Sequence, residues 1–314
     1  MPTCISIDNC VCHFSPLRSE PPVLLKEGQV VKVDLGAHVD GYIATAAHTV
    51  VIGANRDNKV TGKKANVIVS AYNVMEMVLR MLKPEKNFKN VEISEKMGKL
   101  AKIYETTPIE NMLSHNIERF KPVGDKQIIQ NPGDEQKSKS EKCTFETFEV
   151  YTIDVLISTG EGKSKTLDAR TTIFKKTDDM ASRSFFHEAQ QKFGSMPFSI
   201  RDFEDEKVAK VGSTECAKHD LMQPYPVLYE KEGDYVLYEK EGDYKKGGGG
   251  EKEKEINNKE AENNLVKEKK KEEVEKNVET KKEEKKENKG EKLEVKKEMP
   301  KKKNVENKQK KKEG

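Results

Sequence analysis

Apolar and polar positions alternate most clearly from Gln29 to Ile52, QVVKVDLGAHVDGYIATAAHTVVI, where two β-rich runs flank Val39-Asp40-Gly41. A period of two sends successive side chains to opposite faces of a sheet, and Asp-Gly suits a tight turn, so the stretch predicts two antiparallel strands. The period then changes. Ala65, Ile68, Tyr72, Met75, Leu79 and Leu82 recur at steps of three and four and predict an amphipathic helix that Pro84 helps to end. Ile93, Met97 and Leu100 repeat the pattern in a second helix, and residues 109–120 are expected to form a short third. Residues 144–158, TFETFEVYTIDVLIS, return to alternation before the turn signal Thr159-Gly160-Glu161-Gly162. Phe185, Ala189 and Phe193, then residues 206–220, predict two later helices. Strands separated by helices imply an α+β or α/β body with its core in residues 1 to about 228.

Charge divides the chain. Its 314 residues include 58 Lys and Arg, 55 Asp and Glu, 34% hydrophobic residues and no Trp, too polar for one compact domain throughout. From Lys245 to Gly314 there are 25 Lys and 18 Glu but no Arg, Asp or aromatic residue, a net +7, which leaves −4 on the residues up to Tyr244. A stretch so charged buries too little apolar surface to offset its ordering entropy and is expected to be disordered. Just before it, VLYEKEGDY occurs at Val227–Tyr235 and again at Val236–Tyr244, followed by the glycines 247–250. Two copies make no solenoid, and the repeat reads as a recent tandem slippage or an assembly error rather than a functional repeat. The expected organisation is a body at 1–235, a duplicated segment and glycine linker at 236–250, and a Lys/Glu-rich tail at 251–314.

No apolar run approaches the roughly 18 residues of a spanning helix, so no membrane insertion is expected. The start, MPTCISIDNC, lacks the basic and apolar regions of a signal peptide. Five cysteines, odd in number and unevenly spaced, agree with a reducing compartment. Cys10-Val11-Cys12-His13 has no second Cys or His pair at zinc-finger spacing and reads as core or edge strand.

The order of motifs carries a resemblance. Pro2-Thr3, Asn9-Cys10-Val11-Cys12-His13-Phe14-Ser15-Pro16, Leu25-Lys26-Glu27-Gly28 and Val31-Lys32-Val33-Asp34-Leu35-Gly36 resemble the pita-bread fold of type 2 methionine aminopeptidases. Thr107-Pro108-Ile109-Glu110, Met112-Leu113-Ser114-His115, Ile128-Ile129-Gln130-Asn131-Pro132 and Glu215-Cys216-Ala217-Lys218-His219 continue the match. It is closest to the non-enzymatic relatives of those enzymes, the proliferation-associated, ErbB-receptor-binding protein family, and extends from residue 2 to about 235. By that resemblance the chain begins at a strand that relatives reach after a helical segment, and departs from them beyond Tyr235. It therefore implies an incomplete pita-bread fold with unpaired sheet edges.

The resemblance also implies a lost metal centre. A dinuclear aminopeptidase holds two divalent ions with five side chains, mostly carboxylates, to generate a metal-bound hydroxide. Asp34 matches the first ligand, Thr45 stands where the second should be Asp, His115 matches the histidine ligand, and Asp154 replaces a Glu. The fifth, a Glu on the last strand, is expected to have no counterpart. His13 matches the substrate-contacting histidine. His38 and His48 match no ligand and read as surface residues of the hairpin. No other catalytic motif is present: the chain has no GxSxG, no Walker loop and no HExxH. The expectation is a protein that is not an enzyme and has no cofactor.

What the resemblance implies instead is a scaffold binding RNA or ribosomes, with protein partners, in the cytoplasm and the nucleus or nucleolus, linked to growth regulation and rRNA processing. The tail supports this independently. Lys269, Lys270 and Lys271, Lys301, Lys302 and Lys303, and Lys310, Lys311 and Lys312 form clusters that attract phosphates without regard to sequence and also read as nuclear targeting. Two alternatives stay open at this point: an active metallo-aminopeptidase, and a fragment or altered gene model without independent function.

Overall fold

The computed structural model describes residues 1–245 except Ser140 and residues 178–183. The expected disordered tail and its lysine clusters lie outside the described residues.

The body opens with β1 (Cys4–Ile7), β2 (Cys10–Cys12), β3 (Val30–Val39) and β4 (Tyr42–Val51), followed by α1 (Gly62–Met81) and α2 (Asn90–Ile103). Next come β5 (Thr107–Pro108), β6 (Leu113–Ile117), β7 (Gln127–Ile129), α3 (Asp134–Lys139), β8 (Val150–Ser158) and β9 (Lys165–Thr166). The last part holds β10 (Ile173–Lys176), α4 (Ser184–Phe193), β11 (Phe198–Ser199), α5 (Glu206–Lys218), β12 (Met222–Tyr225), β13 (Leu228–Tyr229) and β14 (Val236–Lys245). An eight-stranded sheet has the order β1-β3-β4-β14-β8-β6-β7, with β5 pairing β8; β11-β10-β12 and β2-β13-β9 form two smaller sheets.

The hairpin forms as its pattern predicts. Asp40 and Gly41 both adopt positive φ, 50° and 84°, which gives a two-residue turn the twist of the strands it joins. Gly41 is required twice over, because a Cβ there would also stand 2.6 Å from the Phe120 ring. In β8 the alternation sorts two chemistries. Tyr151, Ile153, Val155 and Ile157 pack with Leu237 of β14 against Val67, Ala71, Val74 and Val78 of α1 and Ile93, Met97 and Ala101 of α2. Their neighbours Thr152, Asp154 and Leu156 line a cavity on the other side of the sheet. A second core gathers Phe174, Phe185, Phe186, Phe198 and Phe203 between the β10 sheet, α4 and α5.

Three expectations change. The stripe that α1 buries is centred on Val67, Ala71, Val74, Val78 and Met81; of the expected one, Met75 and Leu82 are buried with it, Ile68 and Leu79 pack at its edge, and Tyr72 is 62% exposed. Both stripes are apolar; the buried one is built mainly of small and β-branched side chains that lie flat against a sheet. Residues 109–120 form no helix: Asn111 takes φ 66°, and β6 pairs with β7 and β8 instead. Finally, the duplicated segment, expected outside a body at 1–235, is part of that body from Val236 to Lys245, while the glycines 247–250 lie outside the described residues. Residues 236–245 form β14, paired with β8 along most of its length and with β4 at Lys240 and Glu241. The second copy of the repeat supplies this strand, and its alternation sends Val236 and Tyr238 into one core and Leu237 into another.

Lys32 of β3 is 1% exposed, and its Nζ donates to the carbonyl of Asp8 at 2.7 Å. That carbonyl also accepts from the Val236 amide at 3.1 Å, so it keeps a partner without the lysine. Burial pulls the Lys32 amine down to about 8. A base depressed in the folded state opposes folding where the amine is charged in both states, and stability rises as pH climbs from about 8 toward the free lysine value. Lys32→Met should therefore raise unfolding free energy at pH 7 by roughly 1–3 kcal/mol, with the gain fading above about pH 10. Denaturant titrations of both proteins across that range check it.

Candidate functional site

A cavity of about 390 Å³ opens on the sheet face opposite α1 and α2. Strand register builds its floor. Asp34 of β3 faces Ala47 of β4, Ala47 faces Lys240 of β14, and Lys240 faces Asp154 of β8. Directly paired residues project from the same face, so two carboxylates and one ammonium stand in a single row across four strands, with the small Ala47 between them.

The Lys240 side chain is 7% exposed and its Nζ lies 3.4 Å from Asp154 Oδ2. It also donates to Tyr238 Oη at 3.2 Å, and that hydroxyl donates to Asp154 Oδ2 at 3.2 Å. Thr152 Oγ1 donates to Asp154 Oδ1 at 3.4 Å and is 3.1 Å from Thr45 Oγ1. The main chain of Asp154 is held through its N–H, which donates to Ser114 Oγ at 2.9 Å. Burial disfavours the Lys240 ammonium, but Asp154 and then Asp34 more than reverse this and keep its pKa above the ordinary lysine value. Asp34 is less well served. It is 3% exposed, neither carboxylate oxygen has a hydrogen-bond partner, and burial, reinforced by Asp154 against the pull of Lys240, pushes its pKa up to about 6.

His13, His38 and His115 line the cavity. His13, at φ 66°, donates from Nδ1 to the Pro226 carbonyl at 3.0 Å and meets the Tyr225 ring edge-on at 5.4 Å. His115 donates from Nδ1 to the Asn116 carbonyl at 3.1 Å. Burial lowers the pKa values of His13 and His115, opposed at the first by its carbonyl bond and at the second by Asp154. Each of these two rings is therefore neutral at pH 7 and keeps Nε2 as an acceptor.

Of the residues singled out from the sequence, His13, Thr45, His115 and Asp154 line this cavity, and Asp34 joins them in the row beneath it. His38 lines its rim, where Nδ1 accepts from the Gly41 amide at 3.4 Å. His48 lies on the exposed side of β4, 2.8 Å from Glu239. The nine tail lysines lie outside the described residues. Lys240 and Tyr238 were missed. A strand does lie between β4 and β8, and lysine is the side chain it brings beside Asp154. The signal was present in the alternation of Val236, Tyr238 and Lys240 with Leu237 and Glu239, but the repeat obscured it. Four of the five cysteines, Cys4, Cys10, Cys12 and Cys216, are buried, and no helix among the described residues is long and apolar enough to cross a membrane.

A sheet of this order, with a helical pair on one face and this cavity on the other, is the metallopeptidase pita-bread fold. The model of Metallopeptidase family M24 matches residues 2–162, and the chain belongs to that family. Within it the chain is similar to ERBB-3 BINDING PROTEIN 1 of Solanum tuberosum, 44% identical over 245 residues covering 75% of this chain and 60% of that protein. Proliferation-associated protein A of Dictyostelium discoideum is 40% identical, covering 74% of this chain and 60% of that protein. Among solved structures, that of a thermophilic Arx1 superposes with a TM-score of 0.70 at 28% identity, covering 76% of this chain and 71% of the other. The chain thus spans about 60% of the length of the curated relatives it matches.

Removing Lys240 would leave Asp154 buried without its cation. Lys240→Met is expected to destabilise the protein by roughly 3–5 kcal/mol, the range for breaking one partner of a buried pair. Lys240→Met combined with Asp154→Asn should recover most of that loss. A double-mutant cycle read by chemical denaturation distinguishes this coupling from mere loss of packing.

Proposed function

We propose that the chain is a non-catalytic, aminopeptidase-like scaffold that associates with RNA or ribosomes. The observation that carries the non-catalytic half is Lys240. A dinuclear hydrolytic centre concentrates anionic donors around two cations, which would supply a nucleophilic hydroxide. This cleft offers a neutral hydroxyl at Thr45 and an ammonium beside Asp154. Asp154 is already engaged by Thr152, Tyr238 and Lys240. Among the described residues no three His, Cys, Asp or Glu side chains are arranged to hold a metal ion. The donor set does not fit the metal pair, and a resident lysine supplies positive charge in its place.

Similarity supports the binding half. One similar solved structure is that of a thermophilic Arx1 and the similar curated proteins are named for ERBB-3 binding and proliferation; such partners, and a place in the cytoplasm and nucleus or nucleolus, come to this chain as part of the proposal. The tail adds a sequence-independent attraction for phosphate through its net +7. Lysines without aromatic side chains contribute charge but no stacking or base-edge readout.

Purified protein is expected to release no methionine from a Met-Gly peptide with cobalt, manganese or zinc, and Thr45→Asp alone should not restore release, because Lys240 would remain. Chelator-sensitive turnover by the unaltered protein would overturn the reading in favour of a metallo-aminopeptidase. RNA binding should be weak, insensitive to sequence and steeply salt-dependent. Roughly 4–6 tail contacts should by themselves contribute about −3 to −5 to the slope of log K against log salt. Filter binding across a salt series measures this, and absence of RNA or ribosome association at low salt would refute the binding half.

A further inference from the structure

The charge of the body is unevenly distributed. Residues 56–103, which contain α1, α2 and the loops around them, hold eleven Lys and Arg against five Asp and Glu, a net +6. The other residues up to Tyr244 hold 22 against 32, a net −10. The two helices share one apolar core on one side of the sheet, so their polar sides face outward together. Arg56, Lys59, Lys63, Arg80, Lys83, Lys86, Lys89, Lys96, Lys99 and Lys102 are all exposed. Two of the five acids are engaged within their own helices, Glu76 by Arg80 at 2.6 Å and Glu95 by Lys99 at 3.9 Å. The remaining lysines therefore dominate the field of this face.

We infer that the outward face of the α1–α2 layer is a docking surface for the phosphate backbone of RNA, separate from the tail. The inference rests on the RNA reading above and assigns part of the binding to the folded body. Geometry favours it. The twenty residues of α1 span roughly 30 Å at 1.5 Å per residue. Lys59 and Lys63 stand at one end, where with Lys64 they line an open cavity of about 680 Å³. Arg80, Lys83, Lys86 and Lys89 stand at the other end, and Lys99 and Lys102 lie along α2. Such spacing suits successive phosphates rather than one small anion. Between the ends, Tyr72 is 62% exposed and presents an aromatic ring to sugar or base. A membrane surface is a poorer match, because an interfacial helix turns its main apolar face outward, whereas α1 and α2 turn theirs to the sheet.

The test uses the full chain with Lys59, Lys63, Lys83, Lys86 and Lys102 each changed to Gln, and as a charge control the full chain with Lys163, Lys165, Lys207, Lys210 and Lys218 changed to Gln. Each is titrated against a mixed-sequence RNA hairpin over a salt series, and circular dichroism confirms the fold. The first variant should lose about tenfold or more in affinity near ~0.1 M salt and flatten the salt slope by about 2–4, since each phosphate contact contributes roughly 0.7–0.9. The control should change both much less. Equal losses in the two variants would reduce the effect to net charge and overturn the inference, as would an unchanged slope in the first. Binding of the unaltered chain to anionic phosphatidylserine vesicles with none to RNA would overturn both this inference and the RNA reading. RNA binding that survives the first variant intact would remove only the inference.

Discussion

The pairing of β14 between β4 and β8 is the interaction on which the rest of the body depends. Through it the hairpin half of the sheet is joined to the half that carries α1 and α2. On the β8 side the ladder extends from Val236 to Lys245. On the β4 side the Thr49 hydroxyl extends the junction by both donating to the Tyr238 carbonyl at 2.8 Å and accepting from its amide at 3.0 Å. A central strand satisfies backbone groups on both of its edges at once, and without it two neighbouring strands would present unpaired donors and acceptors. Leu237 and its neighbours Val236 and Tyr238 also insert into separate cores, so one short segment ties hydrogen bonding to apolar burial on both faces.

The same strand determines the electrostatics of the cleft. A buried ammonium is tolerated only when paired, and Lys240 is placed by register opposite the one carboxylate that also receives hydroxyl donors from Thr152 and Tyr238. Asp34, one strand further out and across Ala47, receives the field of that ammonium but no hydrogen bond. The cleft is therefore asymmetric, with a satisfied carboxylate on β8 and an unsatisfied one on β3. A lysine that belongs to the fold occupies the side of the cleft where hydrolytic chemistry would demand a cation, which links the scaffold reading to sheet register rather than to the loss of any single ligand.

The two copies of VLYEKEGDY show how far context governs outcome. Tyr229 lies in a two-residue strand, while Tyr238 is buried in a ten-residue one. Glu230 is buried and accepts from Ser158 Oγ and the Gly162 amide, whereas Glu239 accepts from the Thr49 amide and meets His48. Lys231 is exposed and Lys240 is enclosed. Identical local propensity leads to different structures because the strand slot between β4 and β8 accommodates one copy.

Family resemblance implied the grouping of His13, Thr45, His115 and Asp154, whereas local chemistry by itself determined the hairpin at Asp40-Gly41, the existence of α1, α2, α4 and α5, and the alternation in β8 that separates an apolar face from Thr152 and Asp154. These features follow from side-chain period and turn geometry within a few residues. Which stripe of α1 is buried, why residues around Leu113 pair as a strand, and which copy of the repeat enters the sheet were decided only by tertiary structure. In each case two local arrangements were similarly favourable, and the difference came from hydrogen-bond partners and apolar surfaces distant in the chain. Lys240 came to lie beside Asp154 in the same way, through a register between strands more than eighty residues apart.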